Sequence, residues 1–229
     1  MLDFSQRSRQ KELLDNDDIP WLDIQQNLKE LNFINTYLGG HGIILSGVSK
    51  WIENKSLCIA EIGCGGGDNL HAIKKLLQQR KVKQQLIGID IKKECIQFGQ
   101  LQNPTFDWIC GDYKNAHFDA KPDIIFSSLF CHHFTDDELV EQIIWMKKHS
   151  VQGFFISDLH RHPLAYYSIK FLSRLFSKSY LLKHDARLSV ARSFVKNDWK
   201  HLFEKAGIQN YTIEWKWAFR YLISYKHDQ

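Results

Sequence analysis

The residues from Cys58 to Asp68 read Cys-Ile-Ala-Glu-Ile-Gly-Cys-Gly-Gly-Gly-Asp, an acid at Glu61 followed by glycines at Gly63, Gly65 and Gly67. An apolar strand feeding a glycine-rich turn and then a helix lets backbone N–H groups approach a ligand with no Cβ in the way. Such a turn suits a nucleoside or nucleotide. A dinucleotide fingerprint would place its third glycine at position 68, where Asp68 stands instead. Asp90 falls 23 positions after Gly67, at a strand tip, where a carboxylate accepts hydrogen bonds from both hydroxyls of a ribose. Asp112 follows the next strand in Cys110-Gly-Asp-Tyr113. Four histidines, His132, His133, His160 and His162, come after two later strands, and imidazole is the natural proton acceptor near neutral pH. His133 and His160 are the candidates for base or substrate orienter, and Asp158 is placed to fix a histidine tautomer. Cys131 and these histidines match no standard zinc spacing, and adjacent histidines on extended backbone point apart, so no metal is expected.

The elements that must position these residues alternate. Apolar residues at three- and four-residue steps predict a helix over Trp21–Tyr37, ended by Gly39-Gly40, and a second short one over Ile44–Ile52. Strands follow at Leu57–Ile62, Leu86–Ile91, Phe106–Cys110, Ile124–Ser127 and Gly153–Asp158, with helices between them, the pattern of a parallel sheet. Thr135-Asp-Asp-Glu138 is a capping box that opens a helix through Lys148. A helix near Asp198–Ala206 precedes two tightly joined strands, Tyr211–Trp217 and Phe219–Tyr225, hence antiparallel. Residues 1–18 read as flexible.

The acid-x-Gly-x-Gly-x-Gly turn, with Asp90, Asp112 and Asp123-Ile-Ile-Phe-Ser-Ser-Leu-Phe-Cys-His132-His133-Phe, resembles the class I S-adenosylmethionine (SAM) methyltransferases. The resemblance covers about Ser56 to Lys226. Within that class, Ile34-Asn35, Leu38-Gly39-Gly40 and Ser157-Asp-Leu-His160-Arg-His-Pro163 resemble the ubiquinone/menaquinone-type enzymes, and more narrowly the bacterial members beside type III polyketide synthases. It implies an α/β Rossmann-like fold with a seven-stranded sheet and an antiparallel last strand. It also implies an N-terminal helical segment over residues 1–55 and a SAM-binding domain over 56–229, with a helical cap inserted at about 161–196. Glu61, Gly63, Gly65, Gly67, Asp90, Ile91, Asp112 and Tyr113 would hold SAM, Asp112 through the adenine amino group.

The implied reaction is methyl transfer to a small, largely apolar aromatic or polyketide-like molecule, with oxygen favoured over carbon. A quinone-type ring C-methyltransferase, and a SAM-binding sensor or structural protein without transfer, are the alternatives. The β4-type motif lacks the Asn/Asp-Pro-Pro-aromatic signature of base methylation, so nucleic acid is not an expected partner.

The 229 residues suffice for one α/β domain with a cap. The five cysteines are scattered and odd in number, which reads as reduced thiols in a cytoplasmic protein. The net charge of +4 is unevenly placed: residues 161–205 carry ten Lys/Arg against three acids. From Leu164 to Leu182, Lys170, Arg174 and Lys178 form a polar stripe on an otherwise apolar helix, which must bury most of its surface. This basic amphipathic helix is a candidate for peripheral membrane contact. Arg187, Arg192 and Lys196 either hold a substrate anion or offset Asp185 and Asp198.

Overall fold

Strands this apolar on both faces need cover on both sides, and the chain supplies it with helices. In the computed structural model, which describes residues 3–16, 18–52 and 56–228, the strands are β1 Ser56–Ile62, β2 Lys83–Asp90, β3 Asp107–Cys110, β4 Ile124–Ser128, β5 Gly153–Leu159, β6 Tyr211–Lys216 and β7 Arg220–Lys226. They form one sheet in the order β3-β2-β1-β4-β5-β7-β6. β1 to β5 are parallel, and β7 runs antiparallel to both β5 and β6. The helices are α1 Trp21–Tyr37, α2 Gly40–Ser49, α3 Asp68–Gln79, α4 Lys93–Gln102, α5 Asp136–His149, α6 Pro163–Phe176, α7 Tyr180–Arg192 and α8 Lys196–Lys205. This is the class I methyltransferase fold.

Alternation along β4 and β5 divides the core into two layers. Ile125, Phe154 and Ile156 pack with Ile143 and Met146 of α5 and with Trp199 and Phe203 of α8. Ile124, Phe126 and Phe155 face the other way, onto Ile44 and Val48 of α2 and Leu70 and Ile73 of α3. Each such side chain, fully buried, contributes about 1.5–3 kcal/mol. The capping box before α5 forms as expected: Thr135 Oγ1 accepts the Glu138 amide at 3.4 Å, and Glu138 Oε2 accepts the Thr135 amide at 2.8 Å.

Three expectations are corrected. α2 begins at Gly40 rather than Ile44, because Gly39, at φ +77°, turns the chain at once. The polar N-terminus is pinned across residues 3–16 (residues 1, 2 and 17 lie outside the described residues). Asp185 of α7 accepts the amides of Leu13 and Leu14 at 2.9 and 3.0 Å. Arg161 donates to the carbonyls of Phe4 and Ser5 at 3.0 and 3.2 Å. These partners are distant in sequence, so local periodicity carries no trace of them.

The third correction concerns the cap. The single helix expected from Leu164 to Leu182 is two, broken at Ser177-Lys178-Ser179. Glu30 of α1 accepts the Lys178 and Ser179 amides there at 2.9 and 3.2 Å, and Ser179 Oγ accepts the Leu182 amide to start α7. Nor is the apolar surface of α6 mostly buried: Phe171, Leu175 and Phe176 are 65%, 61% and 72% exposed. Among the described residues, no helix is long and apolar enough to cross a membrane.

Candidate active site

Strand order reverses beside β1, whose neighbours are β2 and β4, and such a reversal opens a crevice at the carboxyl ends of the strands. A cleft of about 1240 Å³ lies there, walled by α1, the cap and the β6–β7 turn. The turn after β1 forms one side. Gly63 and Gly65 hold φ of +65° and +51°. A Cβ on Gly63 would sit 2.1 Å from the Phe130 ring, whereas at Gly65 the nearest atom is Leu28 Cδ2 at 3.5 Å. The space before Gly65 therefore belongs to the cleft. Gly67 serves the turn differently. At φ +74° it leads into α3, packed where a Cβ would be 2.4 Å from Trp108, and it does not line the cleft.

The acids around this turn are prepared for a polar ligand. Asp90 Oδ2 accepts the Gly65 amide at 2.8 Å and Oδ1 accepts the Lys92 amide at 2.9 Å. Burial raises the Asp90 carboxyl despite these bonds. Glu61 Oε1 accepts from Asn69 Nδ2 at 2.8 Å, but Glu61 Oε2 and Asn69 Oδ1 are buried without a protein partner. Burial, with Asp68 and Asp90 nearby, pushes Glu61 well up. Orphaned acceptors at the floor of a glycine turn fit a ligand that brings donors, as the amino group and ribose of SAM would. Asp112 is exposed and accepts the Lys114 amide at 2.9 Å. Ile91 is exposed, whereas Tyr113 is buried with its hydroxyl unpartnered; all three line the cleft.

Sequence reasoning gave no role to Asn35 or His41. His41 Nε2 and Asn35 Nδ2 meet Asp68 Oδ2 at 2.9 and 3.1 Å, and Arg220 Nη2 donates to Asn35 Oδ1 at 3.2 Å. These bonds tie α1 and α2 to the start of α3 and to β7. The nearest signal was the pair Asn35 and Gly40, since a Cβ on Gly40 would lie 2.2 Å from the Arg220 guanidinium and 2.6 Å from Asn35 Oδ1.

On the other side, His132 and His133 occupy a 3-10 turn, Cys131–His133, after β4. Their backbone is not extended, so the rings lie side by side with centroids 4.4 Å apart instead of pointing apart. His132 Nδ1 is 2.8 Å from Asp158 Oδ1, and His133 Nδ1 is 3.0 Å from Asp15 Oδ1. Burial alone would raise Asp158, but the His132 ring beside it leaves the carboxyl lowered. Asp15 is likewise lowered against its burial by His133 and Arg192. Arg192 donates to the carbonyls of His132 and His133 at 3.1 and 2.9 Å and to Asp15 at 3.1 Å, so it secures the chain rather than waiting for an anion. Asp198, in turn, pairs with Arg161 at 2.9 Å.

Both Nε2 atoms face Glu12, a residue that sequence spacing gave no reason to place here. His132 Nε2 lies 3.6 Å from Glu12 Oε1, and His133 Nε2 lies 4.0 Å from Oε2. Ser189 Oγ donates to Glu12 Oε1 at 2.8 Å. Burial, moderated by His133 and Ser189, pushes the Glu12 carboxyl up to about 7. The ligand-type atoms of Glu12, His132 and His133 lie within 4.8 Å of one another.

His160 and His162 do not line the cleft. β5 stays paired to β7 through Leu159, which carries His160 against Tyr221, and its Nδ1 accepts from Trp215 Nε1 at 3.3 Å. Burial and the neighbouring His162 lower its affinity for a proton. His162 Nδ1 accepts the Leu164 amide at 3.2 Å and caps α6.

Residues 59–150 match the family model described as a methyltransferase domain. No curated protein matches the chain. Among solved structures, the chain is similar to the plantazolicin methyltransferase BpumL in complex with SAH (22% identity, 85% of this chain and 75% of that one, TM-score 0.63). It is similar to magnesium protoporphyrin IX methyltransferase of Synechocystis PCC 6803 with bound SAH (13%, 93% and 90%, TM-score 0.53). It is also similar to human N-acetylserotonin methyltransferase in complex with SAM (12%, 92% and 57%, TM-score 0.65). At such identities these likenesses speak for the fold.

Proposed function

We propose that this chain, a SAM-dependent methyltransferase by its matched domain and fold, methylates a small, largely apolar aromatic or polyketide-like acceptor, on oxygen in preference to carbon. The observation that carries the reading is a single cleft with a glycine–acid turn on one side and a histidine–carboxylate cluster on the other. Glu61, Gly63, Gly65, Asp90, Ile91, Asp112 and Tyr113 hold SAM, and Gly67 shapes the turn. When bound, SAM supplies an electrophilic methyl group on a sulfonium, which departs as a neutral thioether.

The chain's own residues then play three parts. Leu14, Ile169, Leu172, Val190 and Phe219 line the cleft and give an aromatic ring apolar walls that exclude water. His133, held by Asp15, orients the acceptor. The third part, removal of the acceptor's proton, falls to the same cluster. His160, outside the cleft, is assigned no contact. The similar structures include a plantazolicin, a magnesium protoporphyrin IX and an N-acetylserotonin methyltransferase, which is in keeping with a small-molecule acceptor.

The acceptor reaches the cleft from an anionic membrane surface. Supporting this, α6 exposes Leu164, Tyr167, Phe171, Leu175 and Phe176 beside Lys170, Arg174 and Lys178, while Ala165, Ile169 and Leu172 of the same helix line the cleft. Reduced cysteines, all five free, suit the cytoplasm. The test is transfer of tritiated methyl from SAM to a panel of phenols, naphthols and quinols. Product with any of them supports the reading; SAM binding without transfer to any favours the sensor alternative, and no SAM binding by folded protein overturns both.

A further inference from the structure

We infer that Glu12, His132 and Asp158 form the proton-accepting site for an ionisable hydroxyl on the acceptor, with Glu12 taking the proton. This rests on the methyl-transfer reading and adds to it the identity of the base and the acceptor class, a phenol or enol.

Geometry singles out this trio. Glu12, His132 and Asp158 are 4%, 3% and 0% exposed, yet Glu12 and His132 both line the cleft. Asp158 engages His132 through Nδ1, so that nitrogen carries the hydrogen and Nε2 keeps its lone pair. At 3.6 Å from Glu12 Oε1, Nε2 is too far for a good hydrogen bond. Two strong polar groups buried side by side without bonding each other keep capacity for a third partner. A hydroxyl of the acceptor, with one hydrogen to give, is such a partner for the Glu12 carboxylate.

The groups facing Glu12 explain why it, and not a surface acid, suits this chemistry. On its own turn is Asp15, on the turn after β4 are His132 and His133, and on α7 are Asp185, Ser189 and Arg192. Ser189 fixes one oxygen, and the carboxyl, pushed up to about 7 by burial, is matched to proton transfer near neutral pH. The acceptor's O–H bond breaks, its proton goes to a Glu12 carboxylate oxygen, and the oxygen keeps the electron pair that bonds the methyl carbon. Glu12 then releases its proton to water as the methylated product leaves, while His132, held by Asp158 at Nδ1, keeps its Nε2 lone pair turned toward the carboxyl.

The test reads the trio with and without an acceptor. Protein with bound S-adenosylhomocysteine, labelled with nitrogen-15 at histidine, is titrated from acid to alkaline pH, following the histidine nitrogens by NMR and the protonated carboxyl band by infrared difference. Expected is a carboxyl band that disappears near neutral pH and is absent in Glu12→Gln, with the His132 nitrogen signals altered by the substitution. Asp158→Asn should change the His132 tautomer. Glu12 protonated throughout, or still ionised at the acid end of the titration, overturns the inference, since it could then not take the proton or could not hold it. His132 doubly protonated throughout does the same, since it leaves no lone pair facing Glu12. So does tight zinc binding that Glu12→Gln abolishes, which would make Glu12 a ligand. None of these outcomes depends on finding an acceptor, so failure of the base assignment and failure of methyl transfer are distinguishable. With a phenol that is turned over, Glu12→Gln should lower kcat about 100-fold at little cost in KM, and should cost nothing for phenols acidic enough to be ionised already. An equal loss across acidities would mean a structural role.

Discussion

Asp90 at the tip of β2 accepts the amide hydrogen of Gly65 in the turn after β1, at 2.8 Å. One carboxylate thus fixes the glycine turn and faces the cleft, so the acid and the turn are positioned together. Replacing Asp90 by Ala removes the acceptor for two ligand hydroxyls and frees the turn. SAH affinity should fall about 100-fold, roughly 3 kcal/mol, in isothermal titration. Unchanged affinity would move the ribose elsewhere.

The two glycines of the turn should separate stability from binding. At Gly63, positive φ and the Phe130 ring both oppose a side chain, and Gly63→Ala should cost about 3 kcal/mol of folding stability. Gly65→Ala should cost about 1 kcal/mol, the left-handed backbone penalty alone. Its methyl points into ligand space, so it should nonetheless weaken SAH binding at least about tenfold. Thermal unfolding and titration of the two variants check the contrast.

Glu12 predicts a stability slope. Its carboxyl moves from 4.5 unfolded to about 7 folded, so between those values the folded chain holds more protons than the unfolded chain. Stability therefore falls as pH rises through this window, by roughly 3 kcal/mol, and the decline is complete above pH 7. Urea unfolding at pH 5 and pH 8 should show a larger loss for wild type than for Glu12→Gln. The lowered carboxyls of Asp15 and Asp158 act only below pH 4 and do not interfere.

Arg192 bridges the histidine turn, the Gln10 carbonyl and Asp15. Arg192→Met should lower stability by about 3 kcal/mol, because it leaves buried carbonyls and a carboxylate unpaired. Protease cleavage near residue 10 should accelerate in parallel. If cleavage there stays as slow as in wild type while stability falls, the arginine is not what holds the N-terminal segment.

The exposed face of α6 should sediment the protein with anionic vesicles and not with neutral ones. Phe171→Ser with Leu175→Ser should abolish retention without loss of fold, since both side chains are more than half exposed. Retention unaffected by the double change would separate membrane binding from this helix.

The strands were legible because they are apolar runs punctuated by glycine and acid, whereas β4 beside β1 and β7 beside β5 are placements that no single run encodes. The glycine turn and its acids were legible for the same reason: Glu61, Gly65 and Asp90 lie within one β-α-β unit, where spacing is geometry. The histidine–carboxylate cluster was not. Glu12 reaches His132 only because Arg161, Asp185 and Arg192 hold the N-terminal backbone, and no local pattern encodes a contact across 120 residues. His160 misled because a strand end usually opens onto the crevice, whereas β7, antiparallel beside β5, takes that histidine into its own side of the sheet. The exposed apolar face of α6 escaped because periodicity tells which residues share a face and not whether anything covers it.

The pinned N-terminal segment also sets an order of assembly. Residues 3–16 leave the ribosome long before the partners that hold them through Arg7, Leu13, Arg161 and Arg192, partners that all lie beyond residue 130. The sheet from β1 to β4 can be complete while Glu12 still has nowhere to dock, because α7 must be made and folded back before Ser189 and Arg192 exist to receive it. A nascent chain would gain the crevice beside the glycine turn early and the docked N-terminal segment last.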